Sequence, residues 1–177
     1  SDLFETHCLS LTTAKDKVTA HFANICDQFH HLEALSDTEI FEALRHLDLD
    51  ILIDVIGHTT DTRVPLLLHK AAPVQINYLG FARSTFLPTM DYRIVDQITD
   101  PVENTYYGTE KLLHMPSPFL CFKPILGAPE VAPAPFIKNG YVTFGSMNNT
   151  KKISDRCWEM WSEVLDRVPG AKLMLKS

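Results

Sequence analysis

Three polar loops of the sequence carry residue types that could bind an anion or move a proton. The first loop, Gly57–Arg63, contains His58, Thr59 and Arg63. Imidazole exchanges a proton near neutral pH, and a guanidinium group pairs with phosphate or carboxylate. The loop equally suits an ordinary helix start with a surface histidine, because Thr59, Thr60 and Asp61 are good N-cap residues. Both interpretations of the first loop stay open on local sequence.

The second loop, Gly80–Thr85, contains both a flexible glycine and a charged side chain. A glycine at the carboxyl end of a strand lets another group approach the backbone closely, and Arg83 offers a positive charge. An ordinary turn explains the same residues. The local sequence favours neither a binding loop nor a plain turn.

The third loop, Gly145–Lys152, is typical of an anion site. Main-chain N–H groups and a following helix N-terminus would favour a diphosphate, and Lys151 and Lys152 would add positive charge. The glycine spacing fits neither GxGxxG nor GxxxxGK[ST], which disfavours a nicotinamide-binding or P-loop protein. A solvated polar loop remains the alternative.

Each of these loops follows a segment that is predicted to be a strand. The segments are Leu49–Ile56, Val74–Leu79 and Tyr141–Phe144, and the first is so rich in branched aliphatic residues that we expect helices to cover both of its faces. Strands that alternate with helices predict a doubly wound α/β sheet, whose ligands lie beyond the carboxyl ends of the strands. The polar loops are therefore where chemistry is expected.

Helix starts and a linker complete the predicted organisation. Thr12 or Thr13 is expected to cap a helix whose apolar positions reach Phe29, and Ser36 with Glu39 forms a capping-box pattern for the next helix. Six prolines and no helical period between 116 and 139 predict a linker. A strand–helix–strand unit with a helix capped by Ser154 follows it.

Composition restricts the function classes. The chain has 177 residues, and 45% of them are hydrophobic. Its 16 Lys and Arg residues against 22 Asp and Glu residues give a net charge of −6. A negative net charge disfavours nucleic-acid binding through bulk charge. The sequence shows no apolar run of the ~18 residues that span a bilayer, and its first residues lack a signal-peptide pattern. The four cysteines form no CxxC pair and have no zinc-ligand spacing. We therefore predict a cytoplasmic protein without nucleic-acid, membrane or metal partners.

Five ordered motifs resemble the catalytic region of the O-GlcNAc transferase family, especially its bacterial SPINDLY-like members. They are DILIDVIGHTTDTR at 50–63, APVQINYLG at 72–80, MDYRIVDQITDP at 90–101, EKLLHMP at 110–116, and FGSMNNTKKIS with MWSEVLDRVPGAKLML at 144–175. The resemblance implies an inverting GT-B glycosyltransferase with two Rossmann-like domains. Such enzymes transfer N-acetylglucosamine from UDP-GlcNAc to Ser or Thr hydroxyls of intracellular proteins, need no metal or other cofactor, and usually carry tetratricopeptide repeats in front.

The resemblance also assigns roles to six positions. Lys152 matches the lysine that stabilises the diphosphate leaving group, and Asn149 matches a neighbouring contact to the nucleotide-sugar. His58 and Thr59 match the pair that faces acceptor and sugar, Arg63 matches the arginine that closes this motif, and Gly80 matches the donor-side turn.

The resemblance further implies how the chain is divided. Residues 1–115 correspond to the later part of the first catalytic domain, 116–139 to a linker, and 140–177 to the opening βαβ of the UDP-binding domain. We therefore expect a fold that is incomplete at both ends, and we expect the isolated fragment to be inactive. Phe81, Ala82 and Arg83 depart from the usual Gly-Tyr-Pro-Gly-Thr pattern, so a related protein fucosyl- or glucosyltransferase stays open. A degenerate module that only binds proteins or nucleotides is the alternative of another class.

Overall fold

The structure, a computed structural model, describes residues 3–59, 62–103, 106–116, 118–124 and 127–176. The chain separates into two compact units, Ser1–Phe122 and Lys123–Ser177. The point of division lies inside the stretch 116–139 that the sequence predicts to be a linker. Within the described ranges, no helix is long and apolar enough to cross a membrane.

The first unit consists of two parallel sheets, with a helix in each of the first three connections between successive strands and no helix assigned between β4, β5 and β6 among the described residues. Strands β1 and β2 pair with each other, and a second sheet has the order β3-β4-β5-β6. Parallel sheets combined with helices confirm the predicted α/β fold. The elements are β1 (His7–Ser10), α1 (Lys17–Ile25), β2 (Gln28–His31), α2 (Asp37–His46), β3 (Ile51–Asp54), α3 (Val64–Leu67), β4 (Val74–Asn77), β5 (Tyr92–Asp96) and β6 (Lys111–Met115).

Helix α2 starts as the sequence predicts. The Glu39 N–H donates to Ser36 Oγ, and the Ser36 N–H donates back to the Glu39 carboxylate at 2.8 Å, which completes a capping box. Ile40 and Leu44 face inward and join the apolar core of the unit. The other fully buried members of this core are Leu32, Leu52, Leu66, Leu67, Ala71, Ala72, Leu87 and Met90.

Helix α1 differs from its prediction at both ends. Asp16, rather than Thr12 or Thr13, is the N-cap, and its carboxylate accepts the N–H groups of Val18 and Thr19 at 2.9 Å. The helix ends at Ile25, so Phe29 lies on β2 instead of continuing the apolar helical face. The start was predicted wrongly because Asp16 is a better N-cap than threonine, and the end was predicted wrongly because the chain turns extended at Cys26.

Strand β3 is covered on one face only among the described residues. Leu52 is buried, whereas Ile51 and Ile53 are about half exposed, at 50% and 49%. The expectation that helices cover both faces of this strand was therefore wrong here. Side chains of a strand alternate between faces, and only the even-numbered face of β3 meets the core.

The second unit contains one strand–helix–strand repeat. Strands β7 (Thr143–Ser146) and β8 (Lys172–Leu175) pair in parallel, with a 3₁₀ turn at Thr150–Lys152 and helix α5 (Asp155–Arg167) between them. The Cys157 N–H donates to Ser154 Oγ, which confirms the predicted cap of this helix.

One element of the second unit was not predicted. Helix α4 (Pro135–Asn139) makes a single turn inside the stretch that was predicted to have no helix. Proline suits the first turn of a helix because that turn needs no N–H donor, and Gly140 ends it with φ of 73°. Proline here starts a helix rather than excluding one.

Candidate functional site

The loops that follow β3 and β4 pack directly against each other. A Cβ atom at Gly80 would lie 1.9 Å from the carbonyl oxygen of Val55, and a Cβ at Gly57 would lie 2.3 Å from the Cβ of Phe81. Gly57 also has a φ of 58°, which side chains rarely adopt. Glycine at both positions therefore brings the first two sequence-predicted loops into contact at the carboxyl edge of the sheet.

His58 is held in this contact by a directional hydrogen bond. Its ring Nε2 lies 2.8 Å from the carbonyl oxygen of Thr85, and its ring meets that of Phe81 edge-on with centroids 5.3 Å apart. A carbonyl oxygen has no hydrogen, so Nε2 must carry the proton and donate it. The neutral ring then has its lone pair on Nδ1, where it can accept a hydrogen bond.

A buried carboxylate holds the segment that binds His58. Glu110 is 3% exposed and accepts hydrogen bonds from Ser84 Oγ at 2.5 Å, from the Thr85 N–H at 2.7 Å and from Thr85 Oγ1 at 2.6 Å. Tyr106 adds its hydroxyl at 3.1 Å. Burial alone raises the pKa of Glu110, but the bonds from Ser84 and Thr85 outweigh burial and lower the pKa to about 2.

Sequence reasoning about individual loops missed Glu110. It lies 25 residues from Thr85, and no local spacing connects the two residues. A usable signal was nevertheless present, because Glu110 is the first residue of the fourth matched motif, EKLLHMP.

A recess of about 620 Å³ opens beside Phe81, among the segments that follow β4 and β5. Its size falls in the range of small-molecule sites. Arg93 is one of the residues that line the recess. Its guanidinium donates to the Asp100 carboxylate at 2.8 Å, and the guanidinium carbon lies 5.1 Å from the ring centre of Tyr106. Arg93, Asp100 and Tyr106 were not predicted from the sequence as site residues. The recess is lined chiefly by Phe81, Arg83, Arg93, Tyr106, Tyr107 and Phe119.

Arg63 is engaged with main-chain groups of its own unit. Its guanidinium donates to the carbonyl oxygen of Leu35 at 2.7 Å, to that of Glu33 at 3.4 Å and to the Asp37 carboxylate at 3.0 Å. These bonds join the first loop to the segment before α2. The predicted substrate contact of Arg63 stays a prediction, and the structure adds a structural role.

Thr59 is one of three candidate N-caps in the first loop, and it does not cap a helix. Its hydroxyl donates to the carbonyl oxygen of Ile56 at 3.1 Å, and α3 begins at Val64 without a side-chain cap. The other candidate caps, Thr60 and Asp61, lie outside the described residues. Thr59 is exposed beside His58, so its hydroxyl is open to solvent.

Asn149 and Lys152 lie in the loop after β7 in the second unit. The Asn149 side chain accepts the Lys151 N–H at 3.0 Å and so starts the 3₁₀ turn that ends at Lys152. Lys152 is exposed, and no ion pair involving it is seen among the residues that the structure describes. An ammonium group in this loop is open to an anionic ligand.

No candidate metal centre is present in the described part of the chain, where no three His, Cys, Asp or Glu side chains are grouped to hold an ion. The four cysteines are free thiols.

Comparison with known proteins identifies the family of this fold and site. Residues 1–123 match the model of glycosyl transferase family 41. The chain is 36% identical over 142 residues to the probable UDP-N-acetylglucosamine–peptide N-acetylglucosaminyltransferase SPINDLY of Oryza sativa subsp. japonica, and 37% identical over 142 residues to that of Petunia hybrida. Each match covers 80% of this chain and 15% of the relative.

A solved structure shows the same fold. A mutant of the O-GlcNAc transferase of Thermobaculum terrenum matches with a TM-score of 0.83 at 28% identity, over 96% of this chain and 32% of that chain. The chain belongs to glycosyl transferase family 41, and it spans about 15% of the length of the curated relatives it matches.

Proposed function

We propose that the whole protein containing this chain transfers N-acetylglucosamine from UDP-GlcNAc to Ser or Thr hydroxyls of intracellular proteins. The observation that carries the proposal is the family 41 match, which includes the packed loops around His58 and Gly80. The SPINDLY relatives are named as transferases that use UDP-N-acetylglucosamine as donor and a peptide as acceptor, which supports this choice of substrates. A cytoplasmic location and tetratricopeptide repeats elsewhere in the protein belong to the same proposal.

The reaction is a direct displacement at the anomeric carbon. An acceptor oxygen forms a bond to that carbon as its hydroxyl releases its proton to solvent, and the bond from the carbon to the UDP oxygen breaks with its electron pair on UDP. Negative charge therefore grows on the diphosphate. The Lys152 ammonium would stabilise that charge, and a preorganised cation lowers the barrier more than a mobile one. The proposed reaction uses no metal.

The remaining residues bind rather than react. Asn149 would contact the nucleotide-sugar beside Lys152. His58, Thr59 and Gly80 would border the sugar and the acceptor, with Gly80 allowing close backbone approach. Arg63 would keep the first loop in place through its bonds to Leu35 and Glu33.

A donor panel tests the proposal. The whole protein is incubated with an acceptor protein and with UDP-GlcNAc, UDP-glucose or GDP-fucose in turn, each with a labelled sugar, in the presence and absence of EDTA. We expect label transfer from UDP-GlcNAc alone, unchanged by EDTA. Transfer from GDP-fucose or UDP-glucose would identify a different donor. UDP binding without transfer from any donor would indicate a binding module and would overturn the proposal.

A further inference from the structure

We propose that Glu110 is a positioning residue that fixes His58 in its Nε2–H tautomer, so that Nδ1 accepts a hydrogen bond from a hydroxyl of the bound substrate. The inference rests on the proposed function for the nature of that substrate, a sugar or a Ser/Thr side chain. Glu110 acts through Thr85 and does not itself touch His58 in the contacts described above.

The first step is the orientation of Thr85. This residue is 2% exposed, and both its N–H and its Oγ1 donate to one carboxylate oxygen of Glu110, at 2.7 and 2.6 Å. These two hydrogen bonds from Thr85 to a single oxygen of Glu110 fix the position of the Thr85 backbone. The Thr85 carbonyl, on the same residue, then meets His58 Nε2 at 2.8 Å.

The second step is the charge of Glu110. An ionised carboxylate only accepts hydrogen bonds, and its surroundings are donors: Ser84 Oγ, the two groups of Thr85, and the Tyr106 hydroxyl. A neutral amide at this position would place an NH₂ group against some of these donors. The negative charge of Glu110, rather than the size of its side chain, therefore holds Ser84 and Thr85 in place. Hydrogen bonds to a charged acceptor are roughly twice as strong as hydrogen bonds between neutral groups.

The third step concerns Nδ1 of His58. Since Nε2 donates to Thr85, the neutral ring presents an unprotonated Nδ1, and none of the described residues is seen to donate a hydrogen bond to it. His58 is exposed at the carboxyl edge of the sheet, beside Phe81 and the recess that Phe81 lines. A ligand that donates a hydroxyl hydrogen fits this nitrogen, whereas a ligand with acceptors alone does not.

The experiment reads the tautomer directly. The whole protein containing this chain is labelled with ¹⁵N-histidine, and long-range ¹H–¹⁵N spectra are recorded above the pH at which histidine is protonated. We expect the Nε2–H form of His58 in the wild type. In Glu110→Gln we expect the fraction of the Nδ1–H form to rise at least threefold. A wild-type ring in the Nδ1–H form, or a tautomer ratio that Glu110→Gln leaves unchanged, would overturn the proposal.

A matched variant separates positioning from general loosening of the fold. Asp96 also accepts loop N–H groups at the end of a strand, from Ile98, Thr99 and Phe119, but it makes no described bond to the Thr85 segment. Asp96→Asn should leave the His58 tautomer unchanged. An equal change in Asp96→Asn and Glu110→Gln would show a merely structural effect and would contradict the proposal.

A second pair of variants covers the case in which Glu110→Gln fails to fold. Thr85→Val removes Oγ1 and keeps the volume of the side chain, whereas Thr85→Ser keeps the oxygen. We expect Thr85→Val to shift the tautomer ratio and Thr85→Ser to retain the wild-type ratio. Equal ratios in these two variants would contradict the proposal.

The tautomer experiment does not depend on sugar transfer. An Nε2–H ring that responds to Glu110, in a protein that fails the donor panel, would uphold the positioning role and refute the proposed function. A His58 tautomer that does not respond to Glu110, in a protein that transfers sugar from UDP-GlcNAc, would refute the positioning role and leave the proposed function standing.

Discussion

Gly80 lies against the backbone of Val55 so closely that a Cβ atom at position 80 would be 1.9 Å from the Val55 carbonyl oxygen. The loops after β3 and β4 are thus fixed to each other by main-chain packing. This contact places His58 beside Phe81, and it is the structural basis of the candidate site.

Substitution of Gly80 should destabilise the first unit. Because the overlap of an added methyl group is with backbone, the chain must shift, and we expect Gly80→Ala to lower the free energy of unfolding by about 1–3 kcal/mol. Denaturant unfolding of the chain measures this change. Gly145→Ala, in the second unit, is the control, because the nearest atom to its added Cβ is Met174 Cε at 3.9 Å. Equal stability of Gly80→Ala and the wild type would contradict the close packing.

Arg63 should contribute more to stability than its ion pair with Asp37 suggests. Arg63→Met removes the bonds to two main-chain carbonyls, and bonds to a charged group contribute about 1.5–3 kcal/mol each. Because the bond to Leu35 is short at 2.7 Å and the bond to Glu33 is long at 3.4 Å, we expect a total loss of unfolding free energy of about 1.5–3 kcal/mol. The Asp37 side chain is 48% exposed, so Asp37→Asn should cost less than about 1 kcal/mol. Similar losses in both variants would show that the ion pair, and not the carbonyl contacts, is what matters.

Glu110 should make stability depend on pH in the acidic range. Its pKa falls from an ordinary 4.5 to about 2 in the folded chain. The folded state therefore gains stability from this group above pH 4.5, and loses it as the pH falls from 4.5 towards 2. Unfolding measured at several pH values should show a stability difference between wild type and Glu110→Gln that shrinks across this range. A difference that stays constant with pH would contradict the assigned charge.

Short sequence patterns predicted the helix starts that are stabilised by hydrogen bonds between residues close in sequence. Ser36 and Glu39 are three residues apart, and the capping box they form is visible in the sequence. The start of α1 was missed although its signal is equally local, because two threonines upstream competed with Asp16. Aspartate is a better N-cap than threonine, so the capping ranking alone would have favoured Asp16.

The placement of the first two polar loops at the carboxyl ends of their strands was predicted, their internal bonds were not, and the binding roles of their residues stay predictions. The resemblance pointed to His58, Gly80 and the loops that carry them, and the structure brings these two loops together. The bond from His58 to Thr85 spans 27 residues, and that from Thr85 to Glu110 spans 25. Such contacts depend on the register of β4, β5 and β6, which no short motif contains.

We propose that Lys152 supplies the cation that stabilises the leaving UDP in a protein N-acetylglucosaminyltransferase. The most direct test of this role is the turnover of UDP-GlcNAc by the whole protein carrying Lys152→Ala, with the neighbouring Lys151→Ala as the matched control. We predict a fall in kcat of at least about 100-fold for Lys152→Ala, as for the loss of other preorganised transition-state contacts, and less than about threefold for Lys151→Ala. A Lys152→Ala enzyme within about twofold of the wild type, a barrier change below about 0.5 kcal/mol, would contradict the claim.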